Sequence, residues 1–231
     1  MSTAIITGGS RGFGRALARA LAGDGWTVVI DGRDIDAVLQ TAAQIGRNAI
    51  PVPGDVTDAV HRSQLIAAAQ RTGGLDLLVN NASTLGPSPL PSLADFPVDQ
   101  IGDVFRTNAG APLALLQAAL PLLRAAASPS IVNVTSDAAR EAYEGWGMYG
   151  ASKAALEQLG RVLAAEEPTV RVWSFDPGDM RTQMHQDAFP GEDISDRPLP
   201  DELAVPSFLR LLGDRPPSGF ARAAAVLEAA S

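Results

Sequence analysis

The sequence predicts an α/β protein built on a doubly wound parallel sheet with helices on both faces, and three observations predict it. Strand-length apolar runs recur along the 231 residues, with segments of helical periodicity between them. A glycine-rich turn directly follows the first run and opens a helical pattern. Composition agrees: 46% apolar and 19% charged residues, with 22 Gly and 17 Pro, suit a compact chain with many turns. The length is within the range of one large domain, so residues 1–231 are expected to fold as one unit.

The elements follow in order. "AIIT" at 4–7 is a first buried strand, and Phe13 to Ala22 carries Ala and Leu at helical spacing. "TVVI" at 27–30 is β-branched and strand-length, and Asp36 to Ile45 is amphipathic. "AIPV" at 49–52 precedes a helix over Gln64 to Arg71; "LDLLVN" at 75–80 precedes a long one over Asp99 to Leu123. "SIVNVT" at 130–135, a helix over Met148 to Glu166, and "VRVWSF" at 170–175 complete the alternation. Strands separated by helices need crossover connections, which make the sheet parallel. From Gly178 to Pro206 the chain is acidic, carries prolines and has little periodicity. The segment reads as a long loop with room for a short helix, and a loop of that length in a compact domain is usually functional, so residues 183–206 are expected to form a substrate loop or lid. "PSFLRLLG" then reads as a helix, and a last short strand is expected near "SGFARAA".

Several function classes are disfavoured. A net charge of −8 argues against a nucleic-acid partner, since binding a phosphate backbone runs on clustered Lys and Arg. The chain has no cysteine, which excludes disulfides and thiolate metal sites, and His61 and His185 are too few for a His-rich site; no metal is expected. "MSTAIITGG" has no basic segment ahead of an apolar one, so it is not a secretory signal, and a cytoplasmic location is expected. Ala109 to Ala127 is the nearest thing to a membrane span, but Pro112, Gln117, Pro121 and Arg124 interrupt it. A helix buried against the sheet or a sister subunit is the better reading, with no membrane partner.

Two stretches carry chemistry. "TGGSRGFG", Thr7 to Gly14, sets Gly8, Gly12 and Gly14 between the first strand and the first helix. Glycines there permit a tight turn and close approach of backbone to a phosphate, while the helix N-terminus favours the anion; an ordinary glycine turn is the plainer alternative. "YGASK" holds Tyr149, one of two tyrosines, and Lys153, the only lysine among 18 basic residues. On a helix residues four apart share a face, so phenol and ammonium can reach the same small volume. A surface lysine beside a packed tyrosine is the plainer reading.

With "NNA" at 80–82 and "DPGDMRT" at 176–182, these stretches resemble, in that order, the motifs of the short-chain dehydrogenase/reductase family. The resemblance covers nearly the whole chain. It implies a single Rossmann domain with a seven-stranded sheet, a nicotinamide cofactor and carbonyl or alcohol chemistry. The family's catalytic residues fall on Asn108, Ser136, Tyr149 and Lys153, Asn108 matching the residue that bends its helix and holds a water in a proton relay. Cofactor contacts are implied for Gly8, Ser10, Arg11, Gly12, Phe13 and Gly14 in the loop. Arg33, Asp55, Val56, Asn81 and Ala82 are implied beyond it, with Pro177, Gly178, Met180 and Thr182 in the late motif and Tyr149 and Lys153 themselves. Ser83 follows "NNA" where most relatives have glycine.

The type of nicotinamide turns on "VVIDGRD", where an acid would hold a ribose hydroxyl and an arginine a 2′-phosphate. Asp31 could be the ribose ligand, but the usual acidic position falls on Gly32, with Arg33 next. Arg11 could reach the same phosphate as Arg33, so NADP(H) is expected over NAD(H). A carbonyl receiving hydride develops negative charge on oxygen, which suits Tyr149 as proton donor and Ser136 as polariser. Positive charge from Lys153 and the oxidised nicotinamide is expected to lower the phenol's pKa from near 10. Glu141, Tyr143, Glu144, Trp146, Met148, His185, Asp187 and Phe189 are offered to the pocket, a mixture that suits a small polar carbonyl or alcohol. The helix from Asp99 and the one carrying Tyr149 resemble the family's dimer-forming pair, so a homodimer or homotetramer is expected; "ARAAAVLEAAS" lacks the glycine-rich ending of tetrameric relatives. Two alternatives stay open: an enzyme with an internal redox step, as in epimerisation, and a catalytically silent dinucleotide sensor.

Overall fold

The computed structural model describes residues 2–228. Seven parallel strands form one sheet: β1 (Thr3–Ile6), β2 (Thr27–Gly32), β3 (Ala49–Pro53), β4 (Leu77–Asn80), β5 (Ser130–Val134), β6 (Arg171–Asp176) and β7 (Gly219–Arg222). Their order is β3-β2-β1-β4-β5-β6-β7. The chain winds outward from β1 to β3, then returns to β4 on the other side of β1. The strands therefore diverge at the β1/β4 boundary, and the crevice at their carboxyl ends is where such sheets bind ligands.

Both faces of the sheet are covered, which is why the central strands read as unbroken apolar runs rather than alternating ones. Successive residues still point to opposite faces. Ala4 and Ile6 of β1 pack in the layer of α1 (Gly12–Gly23), α2 (Ile35–Ile45) and α8 (Ala204–Asp214). Ile5 packs in the opposite layer, with α3 (Ala59–Arg71), α5 (Ala111–Ala125) and α6 (Gly147–Glu166).

Two elements differ from the sequence reading, and in a third, the loop after β6, the structure locates the short helix that the reading allowed. Helix α3 begins at Ala59, with Asp58 as its cap accepting from Val60 N at 2.8 Å. Its first turn exposes Val60 and buries His61, which inverts the apolar periodicity and hides the start. The long helix is broken: α4 (Ile101–Phe105) passes through a π-helical turn at Arg106–Gly110 before α5. A wide turn of this kind has no signature in a pattern built on 3.6 residues. The expected loop contains α7 (Gln183–Ala188), whose first turn Thr182 caps, and is tied to its surroundings by Arg181 N to Pro198 O at 2.8 Å. After β7 the described residues end in α9 (Ala223–Glu228), and the last part of the C-terminal stretch, residues 229–231, lies outside them. Among the described residues no helix is long and apolar enough to cross a membrane.

Candidate active site

A cleft of about 620 Å³ opens at the carboxyl ends of the strands and runs from Gly8 and Arg33 at one end to Trp146 and His185 at the other. The turn after β1 forms its floor. Gly8 and Gly12 have φ of +64° and +49°, the left-handed region that glycine adopts freely. Gly14 is required for a different reason: a Cβ there would lie 2.4 Å from the Gly8 carbonyl oxygen. Gly14→Ala should push α1 off the turn and cost about 1–3 kcal/mol of stability together with most nucleotide affinity, read by thermal melting and a binding titration. An alanine variant that melts and binds as wild type does would show that the turn has room to spare.

The first turn of α1 carries no acidic residue, and its N-cap, Arg11, makes no side-chain cap bond. The amides there lack side-chain partners and face the positive end of a twelve-residue helix. A pyrophosphate fits that cradle in charge, donor supply and absence of side chains.

Polar side chains fix the turn from behind. Asn81 Nδ2 donates to Thr7 O at 2.8 Å and Gly8 O at 3.3 Å, while Thr7 Oγ1 accepts from the amides of Asn81 and Ala82 at 3.0 Å each. Gly8 N donates to Asp31 Oδ1 at 2.6 Å, and Asp31 Oδ2 lies 3.0 Å from His61 Nε2. Asp31 is only 1% exposed with both oxygens engaged, so it braces the loop rather than standing free for a ribose. Burial pushes its carboxyl above the usual range, against the bonds from His61 and Gly8. Phe13 also turns inward, its ring stacked 5.9 Å from Phe175, so only its backbone faces the cleft. Ser10, whose carbonyl accepts from Thr41 Oγ1 at 3.2 Å, completes the wall.

At the rim, Arg11 pairs with Asp34, which also caps α2 by accepting from Ala37 N at 3.1 Å. Arg33 lines the same end, as do Asp55 and the largely buried Val56. Asp55 Oδ1 closes a local turn by accepting from Thr57 N and Thr57 Oγ1, both at 2.8 Å. Pro177, Gly178, Met180 and Thr182 line the cleft past its middle, with Gly178 at a φ of +74°.

At the other end β5 and α6 bring Ser136, Tyr149 and Lys153 together. Thr135 and Ser136 point apart: the Thr135 hydroxyl donates to buried Glu157 Oε1 at 2.9 Å, leaving Ser136 to the cleft. Ser136 Oγ donates to Asp137 Oδ1 at 3.1 Å and accepts from Ala138 N at 3.2 Å. Lys153 Nζ lies 5.6 Å from the Tyr149 ring centroid and donates to Val134 O at 2.8 Å. The amine is 1% exposed and has no carboxylate partner among the described residues, and burial lowers its pKa to about 7. Burial likewise pushes the Tyr149 phenol well above its ordinary value, with Asp176 and Asp137 adding to it and bonds from the Ser83 and Ser136 hydroxyls opposing it. In the chain by itself Lys153 therefore does not lower the phenol's pKa, because the desolvation that raises the one also drains charge from the other.

Asn108 lies fully buried in the π turn. Its Nδ2 donates to Thr84 O at 2.8 Å and Ser152 Oγ at 2.9 Å, and its Oδ1 accepts from Thr84 N at 2.8 Å and Ser83 Oγ at 3.1 Å. It fastens the strand-end loop to α6. Of the pocket residues expected from sequence, Trp146, His185 and Asp187 line the cleft, while Glu141, Tyr143 and Glu144 are exposed outside it. Trp146 packs edge-on to Tyr149 at 5.5 Å, and Phe189 backs it at 5.9 Å. Sequence reasoning assigned no role to Asp137, Asp176 and Thr107, which line the cleft too; Asp176 opens the late motif and the other two adjoin Ser136 and Asn108, and that position was the available signal.

The sequence model of a family described as short chain dehydrogenase matches residues 2–193. Sepiapterin reductase of Bos taurus is 34% identical over 197 residues, covering 79% of this chain and 74% of that protein. Two solved short-chain dehydrogenases are similar over 96% of this chain and 96% of theirs. One, from Shigella flexneri and complexed with NADP, is 30% identical with a TM-score of 0.87. The other, from Escherichia coli and complexed with NADPH, is 32% identical with a TM-score of 0.86.

Proposed function

Because the chain belongs to the short-chain dehydrogenase family and is an oxidoreductase of that fold, we propose that it is an NADP(H)-dependent enzyme interconverting a carbonyl and a secondary alcohol on a small polar substrate. One observation carries the reading: Ser136, Tyr149 and Lys153 meet at one end of a cleft whose other end is a phosphate-shaped glycine turn beside Arg11 and Arg33. The bound nicotinamide supplies a hydride in reduction and accepts one in oxidation.

The chain's own residues do the rest. Gly8 shapes the turn, the amides of Ser10, Arg11, Gly12, Phe13 and Gly14 hold the pyrophosphate, and Arg11 with Arg33 holds the 2′-phosphate. Asp55 and Val56 flank the adenine end, Asn81 and Ala82 the middle, and Pro177, Gly178, Met180 and Thr182 the nicotinamide end. Tyr149 gives its phenolic proton to the carbonyl oxygen as hydride reaches the carbon, and takes it back in the reverse reaction. Ser136 donates a hydrogen bond to the same oxygen, where negative charge develops. Lys153, once charged beside the phenol, favours the phenolate that remains. Asn108 keeps the strand-end loop in register with α6, and residues 183–206 cover the substrate. A carbonyl panel should include sepiapterin, given the bovine relative. A homodimer would use α5 and α6, which leave Leu113 and Val162 exposed.

The test is a titration by tryptophan fluorescence, which Trp146 in the cleft makes direct. NADPH should bind about tenfold or more tighter than NADH, the worth of charged hydrogen bonds to one extra phosphate. Asp34→Asn frees Arg11 from a solvent-exposed ion pair and should raise NADPH affinity about two- to fivefold with little effect on NADH. Equal affinities for both nucleotides, unmoved by Asp34→Asn, would remove the arginine pair from the argument.

A further inference from the structure

Ser136 has one hydrogen to give, and the free protein already spends it. Its Oγ accepts from Ala138 N at 3.2 Å and donates to Asp137 Oδ1 at 3.1 Å. The other carboxylate oxygen is held from outside the cleft, Oδ2 accepting from the exposed Tyr143 hydroxyl at 3.1 Å. Asp137 itself is half-buried and lines the cleft with Ser136. Among the described residues no second donor reaches Oδ1, and the guanidiniums of Arg140 and Arg222 are committed to Glu157 at 2.8 Å and to Asp176 at 3.1 Å.

Reduction of a carbonyl needs the Ser136 hydrogen on the substrate oxygen. Once it turns there, Asp137 Oδ1 loses its donor in a cleft from which the substrate displaces water, and a carboxylate oxygen left bare is costly. The substrate can supply the replacement. Oδ1 and the reacting oxygen are both hydrogen-bond neighbours of Ser136 Oγ, so they lie at most roughly 6 Å apart. An O–H or N–H on the carbon next to the carbonyl falls within that span.

We propose that Asp137 is a specificity-determining residue that accepts a hydrogen bond from a hydroxyl or amine on the carbon adjacent to the reacting carbonyl. The substrate class is then an α-hydroxy or α-amino ketone and, in the oxidative direction, the corresponding vicinal diol or amino alcohol. The proposal rests on the reading of this site as one that interconverts a carbonyl and an alcohol. Ser136 donates to the carbonyl oxygen and the neighbouring group of the substrate donates to Asp137, so one hydrogen bond is exchanged for two and no acceptor is left bare. A ketone without that donor gains the first bond and forfeits the second.

The test compares 2-hydroxyacetophenone with 2-methoxyacetophenone, whose rings suit the Trp146 wall of the cleft. The two substituents draw electrons from the carbonyl alike, and only the first has a hydrogen to give. In wild type kcat/KM with NADPH should favour the hydroxy ketone, and Asp137→Ala should lower the ratio of the two about ten- to hundredfold, the worth of a hydrogen bond to a charged group. Taking the ratio within each protein cancels any general effect of the substitution on Ser136 or on folding. Asp137→Asn, which keeps the shape and an uncharged acceptor, should give an intermediate ratio and carries the test if the alanine variant does not fold. Equal ratios in wild type and the variants overturn the proposal. Failure of the functional reading shows separately, as absence of turnover with both ketones; calorimetric binding of the two ketones to wild type and to Asp137→Ala then still answers for Asp137. A preference for the hydroxy ketone that Asp137→Ala removes supports its role, while equal affinities, or no binding of either ketone, overturn it.

Discussion

Tyr149→Phe is expected to lower turnover by on the order of 10² to 10⁴-fold, the range spanned by a positioned general acid, while NADPH affinity stays within about threefold of wild type. The substitution removes one oxygen and keeps the ring, which is 7% exposed and packs against Trp146 at 5.5 Å. The hydroxyls that lose the phenol keep other partners: Ser83 has Asn108 and Ser136 has Asp137. Folding and the nucleotide end of the cleft are therefore undisturbed, and the loss falls on proton delivery alone. Nicotinamide absorbance over a carbonyl panel, beside the fluorescence titration, measures both quantities. Activity within about tenfold of wild type would show that the proton comes from elsewhere.

Lys153→Met should produce the second large effect, and it runs in two directions: turnover is lost and the nucleotide-free protein becomes more stable. An amine that among the described residues has no carboxylate partner and one carbonyl bond is costly to bury, and burial holds its pKa at about 7 against 10.5 in the unfolded chain. Between those two values the unfolded chain binds a proton that the folded one does not. Stability of the wild type therefore rises with pH from about 7 towards 10.5 on account of this group, and its penalty is fully present below 7. Methionine has no proton to lose. The advantage of Lys153→Met should be largest at neutral pH and below, about 5 °C or more in melting temperature, and should fade as pH approaches 10. Melts of both proteins from pH 6 to 10 give the answer; a pH-independent difference between them would mean that the amine is not held neutral. The proposed role accounts for a lysine at such a cost, in a chain whose other basic residues are all arginine, since a guanidinium could not perform it. Lys153→Arg should therefore lose most turnover as well.

Much of the site was legible because each part sits within one short stretch. The glycine turn must lie between a strand and a helix, and the Tyr149 to Lys153 spacing is set by a single helical turn. What stayed hidden was direction. Asp31 and Phe13 belong to the right segments, yet the first faces the loop from beneath and the second the core, because neighbours far along the chain receive them: His61 and Gly8 for Asp31, Phe175 and Phe208 for Phe13. A bend at Asn108 was implied by the family resemblance, but its π-helical form was not legible, because it leaves the composition of the helix unchanged.

The sequence by itself determined the α/β class, the order of strands and helices, the parallel sheet and the residue types proposed here for proton chemistry. These follow from local periodicity, connection length and motif spacing, which need no knowledge of distant contacts. Only the tertiary structure decided that Lys153 is buried without a counter-ion among the described residues, that Arg11 spends its charge on Asp34, and that Ser83 is bonded to Asn108. Those are contacts between residues far apart in the chain, set by strand register and by helices packing across the sheet, and local pattern carries no record of them.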